Sequence, residues 1–319
     1  MTKENNTSGF QNLAKKAKRK SQIRMGIIAF IVCILVLSTF QFVGNIVISK
    51  TINKESAVDT MWNNIHGANI TQQGTVTNYT LFSATTKTEF NKIVGDVAIP
   101  WVPIEKRYSL FGTSKRITTN GPVGSGHIND QRIPMYFNGE RVIEFIHPKV
   151  NFNDIADDKE IISDIKDDKV IEVALSFDKA YSLLETQNTF GKSLSWFWVN
   201  TYEAADINDF NQLNVDTGKN VTISGDDVIG FSSNKTNDLD NGSALFISNI
   251  KQLSKEGSYK EIANRIVSNI TATSNEKELS SANLEIIGVV VTGFPSEILE
   301  LIESPMVRAV FLGSTVDKY

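Results

Sequence analysis

The chain has 319 residues, of which 41% are hydrophobic and 21% are charged, and its net charge is −4. Residues 1–24 carry seven Lys or Arg side chains against one Glu, so the remaining residues together carry a net charge of −10. This acidic balance argues against nucleic acid as a partner of the larger part. The single cysteine, Cys33, excludes an intrachain disulfide and favours a low-cysteine bacterial protein.

Residues 1–24 form a short basic arm. Phe10, Leu13, Ala14 and Ala17 recur at helical spacing, which predicts an amphipathic helix. Two roles remain open for it: a basic surface that attracts anionic lipid, or a docking helix for a cytoplasmic partner. The side chains predicted to contact lipid or that partner are Phe10, Leu13, Lys15, Lys16, Lys18, Arg19, Lys20 and Arg24.

The stretch Met25–Ile48 contains no charged residue, and about 20 apolar residues suffice for a helix to cross a bilayer. A cleaved signal peptide has a shorter apolar core, and a buried helix of a soluble protein would show a polar face. We therefore predict one transmembrane helix. Because the basic residues precede it, the arm is predicted to be cytoplasmic, and everything after about Ser49 extracytoplasmic.

Residues 49–150 are predicted to form a β-rich, membrane-proximal subdomain. Residues 69–83 are rich in Thr, Val and Tyr, which favours strands, whereas residues 85–94 are predicted to be helical. Residues 99–104 carry two prolines and are not expected in a central strand. The pair Asn138-Gly139 predicts the turn of a hairpin.

Residues 151–319 are predicted to form a separate α+β domain that contains two β-α-β units. The first consists of a strand at 170–177, a helix through Tyr181 and Glu185, and a strand at 194–202. The second consists of a strand at 284–292, a helix that begins at Pro295, and a strand at 307–312. The predicted fold is thus an α+β extracytoplasmic region, with ferredoxin-like β-α-β units in its C-terminal half, behind a single N-terminal transmembrane helix.

An aromatic run in the second of these strands offers a candidate recognition face. Alternation places Trp196, Trp198, Asn200 and Tyr202 on one face of the strand and Phe197 on the other. Two interpretations stay open: that face packs in the core, or it recognises an extracytoplasmic ligand or peptide.

No pattern in the sequence indicates catalysis or metal binding. His66, His127 and His147 lie far apart without ligand spacing, and no Gly-x-Ser-x-Gly elbow is present. The acidic pairs at 157–158 and 226–227 lack the alternating ligands of a calcium loop. We therefore expect neither an enzyme, nor a metal site, nor a cofactor.

Four motifs carry a family resemblance: Arg141–Pro148 (RVIEFIHP), Glu172–Ser182 (EVALSFDKAYS), Trp196–Tyr202 (WFWVNTY) and Thr292–Leu299 (TGFPSEIL). Together they resemble the sigma-factor regulator proteins of Gram-positive bacteria, which are membrane anti-sigma factors with a regulator N-terminal segment and a regulator C-terminal domain. The resemblance implies that the protein sequesters an extracytoplasmic-function sigma factor at the inner membrane face until an envelope stress signal releases it.

The arm departs from this family, since better-described members carry a longer helical domain before the membrane anchor. Either the arm suffices together with helper proteins, or sigma binding has been lost or moved to a partner subunit. The alternative function is therefore an exported envelope sensor or binding scaffold that acts with a partner membrane protein. Membrane lipid is an expected partner in both cases, and nucleic acid in neither.

Overall fold

The computed structural model describes residues 4–118, 121, 126–128, 131–152, 157–218, 220–233, 239–272 and 278–318. The fold is α+β, as predicted, with a long apolar helix at the N-terminus followed by sheets and shorter helices. The α-helices of these ranges are α1 (Glu4–Asn63), α2 (Lys159–Ser163), α3 (Leu183–Phe190), α4 (Ala204–Thr217), α5 (Leu239–Leu253), α6 (Lys260–Ala272) and α7 (Pro295–Ile302).

The strands pair into one four-stranded sheet, one five-stranded sheet and three short ladders. The first nine strands are β1 (Ile70–Tyr79), β2 (Ser83–Val94), β3 (Val97–Ser109), β4 (Ser114–Arg116), β5 (Gly126–Ile128), β6 (Gln131–Ile133), β7 (Tyr136–Phe137), β8 (Glu140–Arg141) and β9 (Glu144–Phe145). The remaining six are β10 (Lys169–Tyr181), β11 (Leu194–Val199), β12 (Ile223–Ser224), β13 (Gly230–Ser232), β14 (Ile286–Gly293) and β15 (Val307–Asp317).

Helix α1 joins the predicted arm and the predicted span in one element. Every residue from Phe10 to Phe40 is exposed to solvent, although the most apolar part of the helix has a mean hydropathy of 2.5. Among the described residues it is the one helix long and apolar enough to cross a membrane. An exposed apolar surface of this length is stable only if lipid covers it, which agrees with a single-pass membrane protein.

The chain divides into two compact units. The first comprises Met1–Ile52, Thr77–Thr85 and Arg107–Lys115, and the second comprises Asn53–Val76, Thr86–Lys106 and Arg116–Tyr319. Residues on both sides of the predicted domain boundary at 150 lie in the second unit. In the first unit, a small core forms where the helix meets residues from two hairpins: Ile48, Ile52, Ala84, Tyr108 and Leu110.

The four-stranded sheet has the order β1-β2-β3-β4 and corrects two expectations. Residues 85–94 are in strand β2 and not in a helix. The two prolines of residues 99–104 lie in β3, which is an inner strand. Strand β4 has only three residues, and the amide of Ile117 donates to the carbonyl of Glu105. The proline-containing part of β3 therefore extends beyond β4, and among the described residues no strand pairs with it on that side, where proline is tolerated.

The hairpin predicted at Asn138-Gly139 is confirmed. Strand β7 pairs with β8, and the two residues between them have φ values of 51° and 86°. Positive φ at both central positions is what a tight two-residue hairpin turn requires, and Asn followed by Gly tolerates it best.

The five-stranded sheet of the second unit has the order β13-β11-β14-β10-β15, and all neighbouring strands are antiparallel. Each predicted β-α-β unit is present, as β10-α3-β11 and as β14-α7-β15. In both units another strand lies between the two strands that the helix connects. Tyr181 ends strand β10 instead of belonging to the following helix, because Ser182 caps α3 and accepts from the amide of Glu185.

Both faces of this sheet are buried, which explains why its strands are apolar at successive positions. On one face Val289, Phe197 and Leu175 pack against helices, among them Phe246 of α5 and Ile298 of α7. On the other face, the core consists of side chains from the strands together with residues of segments 143–146 and 228: Ile143, Phe145, Ile146, Ala174, Trp196, Trp198, Val228, Ile287, Val290, Ala309 and Phe311.

Candidate functional site

From Glu4 onward the arm is helical, in agreement with the helix predicted around Phe10–Ala17, and its residues from Phe10 to Arg24 are all exposed. Phe10 is 76% exposed and Leu13 is 68% exposed. Side chains three and four residues apart share one face of a helix, so Phe10, Leu13, Ala14 and Ala17 form an apolar stripe flanked by basic residues. Contact of this stripe with lipid or with a partner protein stays a prediction.

The candidate recognition face is divided by the structure. Trp196 and Trp198 point to the same face of β11, as the alternation predicts, but both are buried in the core. The ring of Phe145 covers Trp198 at a centroid distance of 4.7 Å. Asn200 and Tyr202 follow the end of the strand and are only half-buried. The tryptophans therefore serve as core residues, which is one of the two interpretations left open above.

Asn200 and Tyr202 line a cavity of about 490 Å³ that we call the His147 cavity. The Asn200 amide donates to Glu285 at 2.8 Å, and its oxygen lies 3.3 Å from Nε2 of His147. The Tyr202 ring meets the His147 ring edge to face at 5.2 Å. Burial lowers the pKa of His147 from 6.5 to about 4, although the hydrogen bond with Asn200 opposes the shift. The histidine is therefore neutral at pH 7.

A second cavity, of about 340 Å³, lies where α1 ends, and we call it the Trp62 cavity. Trp62 stacks between His66, at 4.8 Å, and Tyr259, at 4.4 Å. The Tyr259 hydroxyl donates to Asp59 at 3.2 Å, and Asp59 also binds the Lys106 ammonium at 2.6 Å. These contacts fix three aromatic rings and one face of the last helical turns.

The opposite wall of the Trp62 cavity is polar. Trp101 of β3 donates its indole N–H to both carboxylate oxygens of Asp226, at 3.1 and 3.2 Å. Burial raises the pKa of Asp226, with Lys92 opposing the shift. Burial also lowers the pKa of His66 from 6.5 to about 4, with a smaller contribution from Arg116. The cavity thus combines aromatic rings with carboxylate, guanidinium and neutral imidazole groups.

A buried ion pair lies behind Trp101. Lys92 of β2 contacts Glu172 of β10 at 3.0 Å, and neither side chain is exposed to solvent. The Glu172 carboxylate also accepts from Asn69, at 3.1 Å, and from the amide of Ser314, at 3.4 Å. The Lys92 ammonium lies 4.1 Å from the centre of the Trp101 ring. A buried charge is tolerated only when it is paired and hydrogen-bonded, as it is in this network.

The structure gives no donor set for metal chemistry in the parts of the chain that it describes. No group of three or more His, Cys, Asp or Glu side chains is placed there to hold an ion. His66 and His147 line different cavities, and the side chain of His127 lies outside the described residues. The absence of an enzyme activity and of a cofactor stays a prediction.

The residues of the Trp62 cavity were not predicted from the sequence as a site. Trp62, Trp101, Asp226 and Tyr259 come from four separate segments of the chain, and no local motif connects them. The residue type could have indicated them, since Trp62 lies among polar residues at 59–66 and a large aromatic side chain there favours packing against another part of the fold.

Two protein-family models match the chain. The model for the sigma factor regulator N-terminal region matches residues 11–99, and the model for the sigma factor regulator C-terminal domain matches residues 162–314. Together they cover about three quarters of the chain. The chain belongs to the sigma factor regulator family. Searches of curated proteins and of solved structures returned no match.

The two family regions of this sigma factor regulator correspond to distinct parts of the fold. The N-terminal region contains residues 11–24 of the arm, the apolar part of α1 and the first strands, whereas the C-terminal region contains most of the five-stranded sheet. Trp62 and His66 fall in the first region, and Asp226 and Tyr259 fall in the second. The Trp62 cavity is therefore built by both regions. A role in regulating a sigma factor follows from the family.

Proposed function

We propose that this sigma factor regulator is an anti-sigma factor that holds an extracytoplasmic-function sigma factor at the inner face of a bacterial cell membrane. In this proposal the arm is cytoplasmic, α1 crosses the membrane once, and the remaining residues lie outside, in a Gram-positive envelope. The carrying observation is that one uninterrupted helix, α1, contains both the span and the basic part of the arm, in which the residues from Phe10 to Arg24 are all exposed. The excess of positive charge before the span supports the orientation.

Co-purification with matched arm variants tests sigma binding. Full-length protein in detergent is incubated with each candidate extracytoplasmic-function sigma factor, and the retained fraction is measured. The Leu13→Asp variant puts a carboxylate on the apolar stripe, whereas Asn12→Asp puts the same group on the opposite side of the helix. We expect at least a tenfold loss of retention for Leu13→Asp and little change for Asn12→Asp. Equal retention by both variants would contradict arm docking.

A pair of reporter fusions tests the orientation. Alkaline phosphatase, which is active only outside the cytoplasm, is fused after Tyr319 or before Met1. The C-terminal fusion is expected to be active and the N-terminal fusion inactive. The reverse pattern would overturn the proposed topology, and with it the cytoplasmic docking of the arm.

We further propose that the Trp62 cavity is where an envelope signal acts, by binding and not by catalysis. Its lining includes the last turn of α1, so that an occupant would contact the element that continues into the span. Substitution Trp62→Ala, compared with Leu184→Ala at an exposed site, should change the stress-dependent release of the sigma factor. Thermal unfolding of Trp62→Ala in detergent checks that the variant is folded. An unchanged response would exclude this cavity.

A ferredoxin-like arrangement is also proposed for the five-stranded sheet. The order β11-β14-β10-β15 and the two β-α-β connections support it, with β13 as an additional edge strand. Superposition of an experimental structure on ferredoxin-like domains would check this assignment.

The second candidate function is an exported sensor or scaffold that acts with a partner membrane protein. The Trp62 cavity, which lies in the part of the chain that follows the span, supports it, because a sensor or scaffold needs such a binding site and does not need the arm. If no sigma factor co-purifies in the experiment above, but a second membrane protein does in both arm variants, the scaffold function replaces the first.

A further inference from the structure

Two hairpin connections of the four-stranded sheet carry large apolar side chains where polar turn residues are usual. Between β1 and β2, Leu81 and Phe82 are exposed, together with Tyr79 at the end of β1. Between β3 and β4, Phe111 is 81% exposed. We call these four side chains the tip residues. Connections in soluble domains favour Gly, Asn, Asp, Ser and Pro, so this composition needs an explanation.

Both tips lie against α1 within the first compact unit. Leu110, next to Phe111, packs so closely on Gly44 that a Cβ at Gly44 would overlap its side chain. Gly112 also lies beside the helix, because a Cβ at this position would be in van der Waals contact with Val47 and Thr51. The Tyr79 hydroxyl is 3.4 Å from the Ser49 hydroxyl. The tips are therefore level with residues 44–51 of the helix.

This level corresponds to one boundary of the hydrocarbon layer. The uncharged stretch Met25–Ile48 has 24 residues, which at 1.5 Å per residue gives a length of about 36 Å. A hydrocarbon core of about 30 Å, centred on this stretch, would end about two residues inside it, near Ile46. Gly44 then lies just within the hydrocarbon and Ser49 just outside it. Phe111 and Phe82 project from tips that straddle this boundary.

From this placement we propose that the tip residues insert into the lipid interface at the C-terminal end of the span. Tyrosine and apolar side chains are favoured in that zone. The exposed tip side chains adjoin the exposed apolar face of α1, which is proposed to face lipid. Lipid is therefore favoured over a second protein as the partner of the tips. Exposed Lys50 and Lys115 of the same unit can meet anionic headgroups. The proposal rests on the membrane span proposed above.

Lipid-depth quenching tests this insertion. The full chain has one cysteine, so a Cys33→Ser background allows Phe82→Cys and Phe111→Cys to be labelled singly with an environment-sensitive fluorophore. The labelled proteins are reconstituted into phosphatidylcholine–phosphatidylglycerol vesicles that carry a nitroxide at a shallow or a deep acyl position. The matched control is Leu184→Cys, an exposed apolar site in the second unit. Thermal unfolding in detergent checks that each variant is folded.

We expect shallow nitroxides to quench the Phe82 and Phe111 labels at least twofold more than the Leu184 label. Equal quenching at all three sites would overturn the insertion. The native protein labelled at Cys33, in the middle of the uncharged stretch, is expected to be quenched by the deep nitroxide. If Cys33 is quenched and the tips are not, the span stands and the insertion fails. If Cys33 is not quenched, the span and the insertion both fail.

Discussion

The apolar part of α1 and strand β14 have similar side chains and opposite surroundings. Leu35, Val36 and Phe42 of α1 are each about 60% exposed or more, whereas Ile286–Thr292 of β14 are buried. An apolar composition shows only that a segment is excluded from water, and it does not show whether lipid or protein surrounds that segment. Length decides what replaces the water, because 24 uncharged residues can span lipid and an eight-residue strand cannot. The four predictions below test this difference, in order of decreasing effect.

The largest effect is expected for Val290→Asp in the middle of β14. An unpaired carboxylate would enter a core that includes Trp198 and Phe311, at a cost of at least about 4 kcal/mol of unfolding free energy. Urea unfolding of the full chain in detergent measures the loss. The control Leu184→Asp, at an exposed site of α3, should leave the midpoint almost unchanged. Similar midpoints for the two variants would contradict the burial of β14.

The second prediction concerns the buried ion pair between Lys92 and Glu172. Lys92→Met leaves Glu172 buried without its cation, which should cost about 3–5 kcal/mol, and the double variant Lys92→Met/Glu172→Leu should recover most of that loss. Urea midpoints of both variants provide the comparison. Lys87→Met, which breaks an ion pair with Glu89 that is nearly half-exposed, is expected to show no measurable change. A double variant no better than the single one would refute the pairing.

The third prediction places the same carboxylate in α1. Leu35→Asp should not change the unfolding midpoint in detergent, because the side chain has no core contacts to lose. It should reduce membrane insertion by about 2.5–3.5 kcal/mol, the typical cost of Asp at the centre of a spanning helix. The measurement is the fraction of protein that remains in membranes after an alkaline wash. An unchanged fraction would exclude lipid as the environment of residue 35.

The smallest effect is a dependence of stability on pH. Burial lowers the pKa of His66 and of His147 from 6.5 to about 4, so the unfolded chain binds protons that the folded chain does not bind in this range. Stability is therefore full above about pH 6.5 and is lost as the pH falls toward 4. Each histidine should contribute about 2 kcal/mol less at pH 5 than at pH 7.5.

Urea unfolding at the two pH values, for the wild type and for His66→Gln and His147→Gln, measures these contributions. Each variant should lose less stability on acidification than the wild type does. Asp226 acts in the opposite direction, because burial raises its pKa and stability then falls as the pH rises. Asp226→Asn should therefore steepen the acid loss, and a flatter profile in that variant would contradict its burial.

Much of the five-stranded sheet could be predicted because its signals are local. Most residues at 170–177 and 286–293 are apolar, and Pro295 marks the start of α7. Helices α4 and α5 were not predicted. In α4 only Ile207 is buried, so the apolar periodicity that would reveal the helix is weak. The residues of strand β2 were predicted to be helical. Pairing with β1 and β3 makes them a strand, and this pairing cannot be predicted from the residues of β2 alone.

The site residues depend even more on long-range contacts. Alternation correctly assigned Trp196 and Trp198 to one face of β11, but nothing in the strand shows that Phe145 covers that face. The apolar hairpin tips were also overlooked, since Tyr79–Phe82 was interpreted as part of a strand. The exposure of these side chains is evident only from the structure, in which residues 80–82 connect β1 and β2.

The bulge at Gly313 and Ser314 has a practical consequence for anyone who cuts this protein into pieces. Both residues lie opposite Glu172, since Ile171 pairs with Thr315 and Val173 with Leu312. The extra residue frees the Ser314 amide for the carboxylate, but the neutralising ammonium comes from residue 92. A fragment that starts at residue 151 would retain an anion in its interior and discard the counter-ion. We therefore expect the C-terminal family region alone to be destabilised, and expression trials should begin upstream of Asn69.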